Sequence, residues 1–258
     1  MSTTTKSTVA TIKSVDKALE VLEAFSELDG GINLSCLSDQ LNMNKSGVYR
    51  LLQVFKQRGY VEQKSNNGQY QLGIAAYKVG QNIVSRMKVL RSARPLMEKL
   101  SRELDETVYL AVPNGSDVFL FDSAEALTPV NVMSLKGRTY PLDSCAAGEL
   151  LLAFARENRQ LELGAPASDG ADLSHIKIQG YAVDRNRLGD SVVSVSVPLL
   201  DDSKHAAGAL CLIGPSCRFD AEYIQDSLLP PLIEAGHTVS ARLGCFSQFS
   251  ADRQNSLL

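Results

Sequence analysis

Asn44-Lys45-Ser46-Gly47-Val48-Tyr49-Arg50-Leu51-Leu52-Gln53-Val54-Phe55 decides how the first part of this chain folds. An Asn ahead of a helical pattern can accept from the exposed amides of the first turn, so Asn44 reads as an N-cap. Val48, Leu51, Leu52 and Phe55 recur at helical spacing and form an inward stripe. Ser46, Tyr49, Arg50 and Gln53 are left on an outward face, with Lys45 and Gly47 near the amino end. Upstream, Val15, Ala18, Leu19, Leu22 and Phe25 mark a first helix, Gly30-Gly31 breaks the chain, and a short second helix is expected from Ser35 to Leu41. Downstream, residues 60–64 and 69–72 flank Asn67-Gly68, a hairpin signal because both residues tolerate positive φ. Three helices and a hairpin make a winged helix-turn-helix.

In that arrangement the third helix enters the major groove of DNA and the wing meets the adjacent backbone. Lys45 and Arg50 can meet phosphates, as can Lys64 from the wing. Asn44 and Ser46 can reach phosphates or base edges, Tyr49 offers a hydroxyl, Gln53 completes the face, and the small Gly47 permits close approach. The same fold also serves as a protein-docking module, in which these residues merely face solvent. A helical segment follows, with Ile74, Tyr77, Val79, Ile83 and Val84 apolar, then a second near Leu90–Leu104 that contains Pro95. This linker either pairs with a copy of itself, giving the paired half-sites a single helix-turn-helix needs, or acts as a spacer.

Charge is divided in the same way. Residues 1–90 carry 11 Lys/Arg against 7 Asp/Glu, while residues 91–258 carry 15 against 22, leaving the chain at −3 overall. A basic front part can approach phosphate and an acidic remainder does not. Nothing approaches the roughly 20 apolar residues of a membrane-spanning helix, and the Ser/Thr-rich start lacks a signal-peptide core, so a cytoplasmic protein is expected. Five scattered cysteines and three distant histidines point to reduced thiols, with neither structural zinc nor a disulfide framework and no cofactor expected.

From Thr107 the periodicity changes. Val108–Val112 and Val118–Phe121 read as strands joined at Pro113-Asn114-Gly115. Val130–Leu135 and Val192–Val197 alternate, and Ala209–Ile213 is a buried strand. Helices are expected at Ala146–Arg156 and Ala221–Leu243. Strands with interspersed helices, lacking regular βαβ order, give an α+β domain on an antiparallel sheet. Two segments are site material. Asp143 to Gly148 precedes a helix with small residues, which leaves amides open to an anion or serves tight packing. Gly180-Tyr181-Ala182-Val183-Asp184 is a loop that places a carboxylate, either beside the same cavity or as a cap. Cys145, at a helix amino terminus, could be a nucleophile, but no base stands in a recognisable relation to it.

Several stretches together resemble the IclR family of bacterial regulators: Ser14 to Leu19, Lys45 to Leu52, Gly59-Tyr60, Tyr70 to Gly73, Pro141-Leu142 through Gly148, and Gly180 to Asp184. The resemblance runs over about residues 12–243. It implies a tail (1–11), a winged helix-turn-helix (12–73), a helical linker (74–90), a GAF-like effector domain (91–248) and a second tail (249–258). It also implies a homodimer or tetramer on double-stranded DNA with paired half-sites, more often a repressor, controlled by a small and often carboxylated metabolite. By position, the effector site carries over to Cys145, Ala146, Ala147, Asp184, Ser194, Cys211 and Ile213, with the two alanines offering backbone amides. The chain departs from the usual pattern at Gly148-Glu149, where Gly-Lys is common, and at Asn186-Arg187, where an acidic pair is common. Ser191 replaces a common Gly, Ser194 a common Cys and Gly47 a common Thr. Cys211 and Ile213 stand where some members have hydroxyls, so a less polar pocket is expected, for an aromatic or aliphatic acid. The alternatives are a ligand-binding module whose winged helix docks a protein, or a Cys145-dependent hydrolase.

Overall fold

The structure, a computed structural model, describes residues 12–25, 30–64, 67–126, 134–155 and 173–246. They fall into two units, 1–86 and 87–258. In the first unit, α1 (Lys13–Glu23), α2 (Leu34–Gln40) and α3 (Lys45–Gln57) pack around Val21, Phe25, Leu37, Val48, Leu52 and Val61. Each of the two later helices opens on an asparagine: Asn33 Oδ1 accepts from the Cys36 amide at 2.9 Å, and Asn44 Oδ1 from the Gly47 amide at 2.6 Å. Such caps contribute about 1 kcal/mol each. The Asn33 cap sets the start of α2 at Leu34, one residue ahead of the expected Ser35.

The wing is β1 (Val61–Gln63) paired antiparallel with β2 (Tyr70–Leu72). Its strands end one residue short of the expected Lys64 and Gln69 on either side of the turn that contains Asn67-Gly68. Gly68 alone of that pair has positive φ, +68°, because the Asn67 side chain instead accepts from the Gln69 amide at 3.1 Å. The segment after Gly30-Gly31 does more than break the chain: Ile32 forms an isolated antiparallel bridge to Tyr70. Helix α4 (Ile74–Arg86) closes this unit and buries none of its residues.

The second unit begins with α5 (Lys88–Leu104) and is built on a six-stranded antiparallel sheet. Its strands are β3 (Thr107–Asn114), β4 (Asp117–Ala124), β5 (Thr139–Pro141), β6 (Ala182–Arg185), β7 (Val192–Leu200) and β8 (Ala206–Pro215), in the order β5-β4-β3-β8-β7-β6. A 3-10 turn, Leu142–Ser144, leads into α6 (Ala146–Ala153), and α7 (Leu173–Gln179) precedes β6. At the end, α8 (Ala221–Tyr223) passes through a π-helical turn, Ile224–Leu228, into α9 (Leu229–Arg242). The uninterrupted helix expected there widens because Pro230 and Pro231 have no amide protons to give to the preceding turn. The strand expected at Val130–Leu135 lies largely outside the described residues.

Alternation sorts the central strands onto two covered faces. Val108, Leu110, Val193, Val195, Leu210 and Leu212 pack against α5 and α9. Tyr109, Ala111, Ala209, Cys211 and Ile213 face α6 through Cys145, Ala147 and Leu151. Burial on both sides explains why these strands read as apolar runs rather than clean alternation.

A register shift marks β4, where Leu110 pairs with Asp122 and Ala111 with Leu120. Phe121 is thus the extra residue of a bulge, a feature that re-aims neighbouring side chains. Asp122, largely buried, meets Arg94 of α5 and Lys136 of the turn before β5, both at 2.6 Å. Burial pushes its carboxyl up, but the hydrogen bonds from Lys136 and Arg94 outweigh burial and hold it below the usual value. Asp122→Asn is expected to cost about 1–3 kcal/mol in urea unfolding, since both cations keep partial access to water. In the wild type this contribution is fully present above the ordinary carboxylate pKa and is lost as pH falls through the depressed folded value. Unfolding at descending pH, with the variant showing a flatter profile, is the check.

Candidate DNA interface and candidate ligand site

In the first unit, one side of α3 is free. Val48 and Leu52 are fully buried, which turns Lys45, Ser46, Tyr49 and Arg50 outward as exposed residues, with Gln53 half-buried. Gln57, one turn beyond Gln53 and exposed, continues this stripe past Phe55, where the apolar pattern that defines the helix in the sequence ends. Asn44 is spent on structure: its Oδ1 accepts from the Gly47 amide and, at 3.1 Å, from the Ser46 hydroxyl. The Ser46 oxygen keeps only its acceptor side for another group. Gly47 also acquires a local reason, since a Cβ there would stand 2.7 Å from Asn44 Oδ1. Tyr49 is 47% exposed. Lys64, half-buried at the foot of the wing, donates its amide to the Gln69 carbonyl at 2.8 Å and accepts at its own carbonyl from Gly68.

In the second unit, strand register assembles the sequence-predicted ligand residues. Residues directly opposite in adjacent strands share a face. Asp184 pairs with Ser194, Ser194 with Ile213, Ser196 with Cys211, and Cys211 with Tyr109. Asp184, Ser194, Cys211 and Ile213 therefore stand on one side of the sheet, the side covered by Cys145 and Ala147. Gly180–Asp184 is not wholly a loop, because Ala182 onward is the edge strand β6. The strand was hidden in the sequence by its length and by its position after Gly180, whose φ is +77°.

Asp184 is 4% exposed and binds the start of α6 directly. Its Oδ2 accepts from the Ala146 amide at 2.7 Å and from the Ser194 hydroxyl at 2.5 Å. Burial pushes this carboxyl above its ordinary value, and the bonds from Ser194 and Ala146 pull it partly back. The reading of Ala146 as an open amide is thus corrected: the protein supplies its own anion to that helix terminus. Glu149 donates its amide to the Cys145 carbonyl at 3.0 Å. Gly148 explains how α6 sits so close to the preceding turn, since a Cβ there would fall 2.0 Å from the Leu142 carbonyl oxygen.

The other Asp184 oxygen, Oδ1, is buried and has no hydrogen-bond partner among the described residues; the same holds for Tyr140 Oη, whereas the Ser196 hydroxyl meets the Cys211 thiol opposite it. A buried polar group left unmet costs about 1–3 kcal/mol. Asp184 and Ser196 are diagonal neighbours across β6 and β7, a spacing of roughly 7–8 Å between backbones. Tyr140 lies on β5, the opposite edge strand. Ser196 was not singled out in the sequence, although its alternation with Ser194 in Val195-Ser196-Val197 put it on the same face.

Two further departures prove to be one feature. Arg187 forms an ion pair with the buried Glu149 of α6. Where the IclR pattern has a basic residue after Gly148 and acidic ones after the Asp, this chain has the reverse order of charges. The environments of Cys145 and Cys211 disfavour their thiolates. Burial pushes Cys145 up to about 12, with the Gly148 and Ala147 amides only partly opposing it, and burial pushes Cys211 up to about 12 as well.

Known proteins share this organisation. Residues 14–65 match the IclR helix-turn-helix domain, and residues 81–165 and 169–241 match the C-terminal domain of the bacterial transcriptional regulator IclR. The HTH-type transcriptional regulator KdgR of Escherichia coli is 28% identical over 247 residues, covering 90% of this chain and 93% of its own. The transcriptional repressor IclR of the same organism is 23% identical over 231 residues, covering 83% and 84%. Among solved structures, an IclR homolog from Microbacterium hydrocarbonoxydans complexed with 4-hydroxybenzoate superposes with a TM-score of 0.74 at 18% identity, over 89% of this chain and 98% of the other. The two domain matches together span most of the sequence, and the chain belongs to the IclR family of bacterial DNA-binding transcriptional regulators.

Proposed function

We propose that this regulator is a repressor that binds paired half-sites as a homodimer in the cytoplasm and is controlled by a small molecule at the Asp184 face. The observation that carries the DNA half is α3: its cap and inward stripe leave Lys45, Ser46, Tyr49, Arg50 and Gln53 outward, with cations at the amino-terminal half. Lys45, Arg50 and Lys64 hold phosphates, while Ser46, Tyr49 and Gln53 reach base edges. Asn44 and Gly47 act through the helix start. The effector contacts Cys145, Ala147, Asp184, Ser194, Cys211 and Ile213, with Ala146 serving through its bond to Asp184.

Dimerisation is supported by apolar residues left in water. Ile12, just ahead of α1, and Val15 and Leu19 along it are at least half exposed, as are Ile74, Tyr77, Val79 and Ile83 on α4. An isolated helix of 13 residues is marginal in water without a packing partner, and a second copy supplies one. The names of relatives as repressors favour repression over activation.

Operator affinity, read by gel shift with the region upstream of the gene, is expected to fall steeply with salt. Arg50→Ala should weaken binding to all sequences alike and reduce the salt slope by about 1, whereas Ser46→Ala or Gln53→Ala should change which sequence is preferred. Unaltered affinity in Arg50→Ala would remove α3 from the groove.

A regulator rather than a Cys145 hydrolase is favoured by the thiol environments, because the nucleophile is the thiolate. In the native protein at pH 8, a thiol reagent should label Cys36 and Cys217, which are exposed, and leave Cys145, Cys211 and Cys245, which are buried, until denaturant is added. Rapid native labelling of Cys145, followed by mass spectrometry, would contradict this.

A further inference from the structure

The flank of α3 that faces the wing carries a third cation, Lys56. Residues four, seven and eleven apart on a helix return to nearly the same side. Lys45, Tyr49 and Lys56 thus form one flank, beside the outward stripe of Ser46, Arg50, Gln53 and Gln57. Burial and then the Tyr49 hydroxyl push the Tyr70 phenol of β2 up, which makes the two rings neighbours. Further along, Lys56 Nζ donates to Gln63 Oε1 of β1 at 3.2 Å. The other end of the same amide, Gln63 Nε2, donates to the Gly68 carbonyl of the wing turn at 3.0 Å. Gln63 therefore spans from the last turn of α3 to the turn of the wing. Only this orientation of its amide satisfies both ends, since an ammonium has no acceptor and a carbonyl has no donor.

Among the described residues Lys56 keeps its charge uncompensated. From residue 40 to residue 86 the chain has seven Lys/Arg and a single acid, Glu62. Glu62 precedes Gln63 on β1 and so points to the other face of the hairpin, where it takes the side chain of Gln71 across from it. Lys56 meets a neutral amide instead. An ammonium has three donors; one is on Gln63, and two are left at an exposed position. Holding a long side chain costs rotamer entropy, and here the partner that holds it leaves the charge intact.

When α3 lies in the major groove and the wing meets the adjacent backbone, one strand of phosphates borders that groove on the wing side. It has to cross the notch between α3 and the hairpin, where Lys56 and Gln63 stand. We propose that Lys56 is a phosphate contact on this strand, and that Gln63 is its positioning residue, aiming the ammonium and fixing the wing turn at one distance from α3. The ligand is the phosphodiester of duplex DNA, met whatever the bases. This inference rests on the placement of α3 in the groove.

The test measures binding of the full-length protein to a mixed-sequence duplex and to the region upstream of its gene, by fluorescence anisotropy between about 50 and 200 mM salt. Lys56→Met keeps the apolar stem and removes the charge. It should weaken both duplexes alike, by about five- to tenfold near 0.1 M salt, and lower the salt slope by about 1. Gln63→Glu separates a phosphate seat from a clasp that only joins wing to helix. The carboxylate can hold Lys56 as an ion pair, so a clasp would be kept or tightened, and affinity with it. A seat would instead lose its free cation and gain an anion in the path of the phosphates. Affinity should then fall at least as far as in Lys56→Met, with the melting temperature held or slightly raised, because an exposed ion pair adds little stability. An unchanged slope in Lys56→Met, or affinity maintained in Gln63→Glu, overturns the proposal. Arg50→Ala, measured alongside, separates the two placements. If it lowers the slope and Lys56→Met does not, the notch loses its phosphate while α3 keeps its groove; if neither lowers it, both fall.

Discussion

A sheet covered on both faces offers its polar side chains no bulk water, so each of them must be met by another group. That constraint governs the second unit. On the side of α5 and α9 it is met by excluding polar groups almost entirely from the central strands. On the side of α6 it is met by construction: Asp184 binds the helix that covers it, Ser194 binds Asp184, and Glu149 of the same helix takes Arg187. The helix and the edge strand are held to each other by charge-assisted bonds, which are roughly twice as strong as neutral ones. The unmet oxygens are what remains after that arrangement is complete.

Much of this was legible in the residues. The cap at Asn44, the Val48–Leu52 stripe and the outward placement of Arg50 follow from helical spacing alone, which is a local property. The strands β3, β7 and β8 announced themselves by β-branched and apolar runs. Less visible were features that depend on contacts far apart in sequence. The bulge at Phe121, the Ile32 bridge to Tyr70 and the short strand β6 arise from pairing partners, and no single segment specifies them. The Asn67-Gly68 turn went differently for a local reason: the Asn67 side chain found the Gln69 amide and did not need the left-handed backbone.

The candidate ligand site divides in the same manner. Which residues share the face could be read by alternation and resemblance. Which atoms remain available could not, because a helix amide looks open until the partner across the sheet is placed. Cys211 and Ile213 suggested an apolar pocket, yet Asp184, two strands away on the same face, sets a buried carboxylate at its end. Counting hydroxyls lost from a pattern says little about polarity when a buried carboxylate keeps a free oxygen.

The reversed ion pair between Glu149 and Arg187 has a historical consequence. Changing Glu149 alone to lysine would set two cations against each other beside a largely buried position, and changing Arg187 alone to an acid would set two anions there. Only the paired exchange preserves the attraction. The two positions are epistatic, so a lineage passing between the two orders must cross a destabilised intermediate or first neutralise one partner. Exchange at either position is thereby expected to depend on the residue held at the other.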